Sequence, residues 1–75
     1  SVPLFDEWVG AECLRLTFEE EIDYSRLLAK KLEEKSTLTK SEKYYLHYLK
    51  KRKEKFNKCF REKLKEVQLK EKATL

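Results

Sequence analysis

Seventy-five residues with 43% charged side chains, one Gly, one Pro and no Met allow one small domain with a modest core. So few turn residues argue against strands and for helices, and no apolar run approaches the roughly 18–20 residues of a membrane span. The charge is lopsided: residues 1–34 hold nine acids against Arg15, Arg26, Lys30 and Lys31, residues 35–75 hold fourteen bases against five acids, and the net charge is +4.

The first predicted helix spans Pro3 to Leu16. Proline suits a first helical position because its missing N–H would be unpaired there anyway. Phe5, Trp8, Val9, Cys13 and Leu16 recur at spacings of three and four and so share a face. Asp6 and Glu7 lie where carboxylates favour the positive end of the helix dipole. The acidic run from Thr17 to Ile22 reads as a connector.

A second helix is expected over 24–35, with Asp23 as its N-cap and Ile22 and Leu27 as a hydrophobic staple. Tyr24, Leu27, Leu28 and Leu32 form its apolar stripe, and Ser36-Thr37-Leu38 a short turn. The third helix has the clearest start. Thr39 and Glu42 stand at capping-box spacing, in which hydroxyl and carboxylate each satisfy a backbone N–H of the other's turn. From there Tyr45, Tyr48, Leu49, Arg52, Phe56, Cys59, Phe60, Leu64 and Val67 follow at helical spacing over 40–69. Residues 70–75 read as a frayed basic tail. The fold class is therefore all-α: one domain over 1–69, with three helices and an L-shaped outline, because two short helices cannot cover so long a third.

Cys13 and Cys59 are too few for a disulfide framework and read as small buried thiols, which suits a reducing compartment. No signal-peptide pattern opens the sequence. His47, the sole histidine, reads as a surface or boundary residue of the third helix. No nucleophile has a recognisable base and orienting partner, so the chain does not read as an enzyme. Glu19, Glu20, Glu21 and Asp23 lack the spacing and glycine of a calcium loop, and Gly10 stands alone, without a phosphate cradle. No cofactor, metal or small-molecule substrate is expected.

With three helices placed, the sequence resembles an HMG box along most of its length. Phe5 and Trp8 sit three apart like the two aromatics of that family's first helix. Ser25-Arg26-Leu27-Leu28-Ala29-Lys30-Lys31-Leu32 is similar to its second helix. Leu38-Thr39, Glu42-Lys43, Tyr45 and, eleven residues later, Phe56 match its third. The boxes of the RNA polymerase I upstream binding factor are the most similar subgroup.

The resemblance implies an L-shaped box within a larger nuclear protein of transcription or chromatin. It also implies minor-groove binding of double-stranded DNA with low sequence specificity, an apolar wedge, and cations on phosphates. Phe5 lies near the wedge region, though a plain core role fits it as well. Ser25 and Arg26 would meet the sugar–phosphate edge. Lys30, Lys31, Lys50, Lys51, Arg52 and Lys53 are the candidate phosphate partners on charge alone, with stem packing as a rival role for Arg52. A second reading stays open. The acids Asp6, Glu7 and Glu12 and the long amphipathic third helix also suit a protein-interaction module that binds a partner through that helix.

Overall fold

The computed structural model describes residues 5–33 and 37–74, with backbone alone at 73 and 74. Pro3, Lys35 and Ser36 lie outside the described residues. The fold is all-α: α1 (Phe5–Glu12), α2 (Phe18–Leu32) and α3 (Lys40–Thr74), with no strand among the described residues. The chain divides into two compact units, Ser1–Arg15 with Glu54–Leu75, and Leu16–Lys53.

In the first unit α1 lies against the second half of α3. Phe5 packs on Trp8 and edge-on to Phe60, both at 5.9 Å between ring centres, and Phe56 continues the cluster 6.1 Å from Phe60. These separations lie in the range that aromatic pairs prefer. Val9 and Cys13 are buried. Lys63 lies 5.1 Å over the Trp8 ring and Arg15 lies 4.8 Å over Phe56.

The cysteines are not the free thiols expected from sequence. Cys13 and Cys59 form a disulfide across 46 positions, with Cα atoms 5.6 Å apart. Their pairing follows from the packing of α1 on α3, a long-range contact that spacing along the chain does not encode. On the chain-entropy account, closing a loop of 46 residues restricts the unfolded chain by about 4 kcal/mol.

The first helix stops at Glu12, four residues short of the expected end. Leu14 adopts a left-handed conformation (φ 58°), and the Arg15 N–H donates back to the Gly10 carbonyl at 3.0 Å. This is a Schellman-type stop with leucine where glycine usually stands. Cys13 and Leu16 are buried and prolong the apolar spacing past the turn, which is why the sequence reads as a longer helix.

The second unit is an αα-hairpin. Its α2 begins at Phe18, six residues before the expected start. Thr17 and Glu20 form a reciprocal capping box, at 3.1 Å and 2.9 Å. The run Glu19-Glu20-Glu21 is the helix's first turn, where its charge favours the helix dipole, and not a connector. Asp23 therefore lies inside the helix, and Ile22, half exposed, makes no staple. The capping box expected at the start of α3 is present, with Thr39 and Glu42 paired at 2.9 Å and 3.1 Å. At its other end α3 continues to Thr74, beyond the expected limit at 69.

Leu16, Leu27, Leu46 and Leu49 form the core of this unit. A fully buried leucine contributes roughly 1.5–3 kcal/mol. Two helices in contact bury only a narrow line of residues, so Leu28 and Leu32 of the expected stripe are exposed, Leu32 at 78%.

Left-handed leucine costs about 1–2 kcal/mol, while glycine loses about 0.5–1 kcal/mol more backbone entropy on folding. Leu14→Gly is therefore expected to stabilise the chain, by up to about 1 kcal/mol, and to raise Tm in a thermal melt. An unchanged or lower Tm would count against a strained stop at Leu14.

Candidate binding groove on the helical hairpin

Charge sets the register of the hairpin. Glu20 accepts from the Arg52 guanidinium, and Glu21 accepts from Lys53 at 3.1 Å. Asp23 accepts from the Tyr45 hydroxyl at 2.8 Å, and Glu42 accepts twice from Lys30, at 3.0 and 3.1 Å. Early residues of α2 thus meet late positions of the hairpin's second arm, and Lys30 meets its beginning, so the arms run antiparallel. Surface ion pairs contribute little individually. Three ion pairs and one hydrogen bond spread along both arms specify alignment more than they add stability.

The same contacts shift three ionisations. The Thr39 backbone N–H, and then the Lys30 ammonium, hold the Glu42 carboxyl down from 4.5 to about 2. The Thr17 backbone N–H, with Arg52 behind it, holds Glu20 below its ordinary value. The hydrogen bond to Asp23, helped by burial, raises the Tyr45 hydroxyl.

On another face the hairpin leaves a groove of about 580 Å³. Tyr24, Leu28 and Lys31 line it from α2 at spacings of four and three. Lys43, Leu46, His47 and Lys50 line it from α3, and Thr37 and Leu38 from the connection. Its floor is apolar, through Leu28, Leu38 and Leu46, and its rim is cationic, through Lys31, Lys43 and Lys50. Among the described residues no carboxylate forms an ion pair with any of those three lysines.

The candidate site residues from sequence are distributed as follows. Phe5 belongs to the first unit and is packed among aromatic rings. Ser25 and Lys51 are exposed, and Arg26 lies 3.6 Å from Asp23. Lys30, Arg52 and Lys53 face Glu42, Glu20 and Glu21. The Arg52 head is on a carboxylate and 5.7 Å over Tyr48, and not simply in water. Only Lys31 and Lys50 come together on the groove.

Sequence reasoning missed Lys43, Leu38 and Leu46 as site residues. The available signal was the helical spacing of Lys43, Leu46 and Lys50, which gains meaning only once the antiparallel register is known. No group of three or more His, Cys, Asp or Glu side chains suited to a metal ion occurs among the described residues, and no described helix is long and apolar enough to cross a membrane. No family model, curated protein or solved structure matches the chain.

Because Glu42 and Glu20 ionise more readily in the folded chain, their stabilisation is complete above about pH 4.5 and is lost as pH falls through about 2 for Glu42. Stability to urea, followed by circular dichroism, should therefore decline over that window. Glu42→Gln should be less stable at neutral pH and show a shallower acid decline. An acid profile identical to that of the parent chain would remove Glu42 from this role.

Proposed function

We propose that this chain is a helical protein-interaction module that captures an acidic amphipathic segment of a partner protein in the groove of the hairpin. The observation that supports this most is the uneven pairing of cations. Arg26, Lys30, Arg52 and Lys53 each face a carboxylate of their own unit. Lys31, Lys43 and Lys50 surround apolar side chains instead. A partner helix with leucines one turn apart and glutamates on its flanks complements both features, burying its leucines against Leu28, Leu38 and Leu46 while its acids meet the rim. The reading assigns no catalysis: His47 lines the groove beside Lys43 and Lys50 and is given the role of a rim residue.

A fluorescein-labelled helical peptide of that design is expected to bind with a Kd on the order of micromolar. Joint Lys31→Glu, Lys43→Glu and Lys50→Glu substitution should weaken it by about tenfold or more, with helicity retained. Replacing the peptide's glutamates by lysines should abolish binding. An affinity indifferent to both changes would rule out the groove as the docking site.

The second reading is an HMG-box-like, low-specificity DNA-binding module in the nucleus. One observation favours it: Lys55, Lys58, Arg61 and Lys65 are exposed and succeed one another at helical spacing along α3. Against it stand the internal carboxylate partners of four candidate phosphate contacts. The Cys13–Cys59 bond, too, is of a kind that persists in oxidising compartments. Linear and four-way-junction DNA at two salt concentrations separate the two readings. DNA binding should weaken steeply with salt and fall further on joint Lys55→Glu and Lys58→Glu. Under the interaction-module reading neither DNA binds measurably at physiological salt.

A further inference from the structure

We infer that the Cys13–Cys59 disulfide is a redox-operated clasp, which holds α1 on the second half of α3 and releases it on reduction. α1 has eight residues, fewer than the roughly 12–15 at which an isolated helix becomes even marginally stable in water. It persists only while something holds it in place.

Its non-covalent grip is shallow, resting on Val9, the Phe5–Phe60 ring contact and Lys63 over Trp8. Val9 is its one fully buried side chain among the described residues, and Phe5 and Trp8 remain partly exposed. Its ion pair to α3, Glu12 with Lys63, spans 4.0 Å with Glu12 half exposed, and Asp6 pairs with Arg15 next to α1 itself. The disulfide, through Cys13 one residue past the end of α1, is the covalent restraint on the element.

The enclosed loop explains why reduction would act locally. Residues 16–53 carry no cysteine and have their own core in Leu27, Leu46 and Leu49, their own capping boxes and their own ion pairs. None of these contacts runs through the bond.

Access favours exchange at Cys59, which is partly exposed where Cys13 is buried. The thiolate of a dithiol reductant attacks the Cys59 sulfur and displaces the Cys13 thiolate, which takes up a proton. The reductant's second thiol then displaces the Cys59 thiolate, which is protonated in turn. Two electrons and two protons finish on the cysteine pair, and the reductant leaves as a disulfide. Freed, α1 uncovers Phe56, Cys59 and Phe60 on α3.

Hydrogen exchange on the full chain, oxidised and in dithiothreitol, tests the inference, with Trp8 fluorescence as a second readout because it is the sole tryptophan. Reduction should abolish protection at residues 5–12, leave residues 18–32 and 40–53 protected, and shift Trp8 emission to the red, all reversibly on reoxidation. Joint Cys13→Ser and Cys59→Ser should reproduce the reduced pattern without reductant. Retained protection of α1 after reduction would overturn the proposal. So would simultaneous loss across residues 18–53, since the bond would then be a global staple.

Discussion

The antiparallel charge register of α2 against the first half of α3 is the constraint on which the hairpin depends. The core is made of chemically similar side chains, Leu27, Leu46 and Leu49, which carry no direction of their own. Sliding α2 along α3 would strand Glu20, Glu21 and Lys30 away from Arg52, Lys53 and Glu42. Apolar burial supplies the stability, and the ladder of contacts decides which alignment receives it.

That division of labour changes the meaning of the chain's uneven charge. An acidic first half and a basic second half suggest an external polyanion when read as a string. In the hairpin Arg52 and Lys53 of the basic run meet Glu20 and Glu21 of α2. Outside those pairs stand three lysines around leucines, together with exposed cations further along α3. Of the residues on which the HMG-box resemblance rests, Thr39 and Glu42 cap the start of α3, while Arg52 and Lys53, singled out by charge, pair with α2.

The features legible in the sequence were the local ones. The box at Thr39 and Glu42 could be seen because both partners lie within four residues. The same spacing at Thr17 and Glu20 was hidden by an acidic run that looks like a solvated connector until the helix dipole is considered. The end of α1 was illegible because a leucine, and not a glycine, takes the left-handed position. The Cys13–Cys59 bond and the groove both depend on residues far apart in the chain. Neither can be read before the packing of α3 against α1 and α2 is known.

The internal ladder and the lysine rim should differ in their response to ionic strength. Lys30, Arg52 and Lys53 touch their carboxylates directly in half-buried positions, whereas Lys31, Lys43 and Lys50 project into solvent. Contact pairs are little affected by mobile ions, but attraction acting across open water fades beyond a screening length of about 8 Å in physiological medium and about 3 Å at molar salt. A change of surroundings, from dilute fluid to brine, thus shortens the reach of the field around the three lysines while the hairpin's own alignment survives.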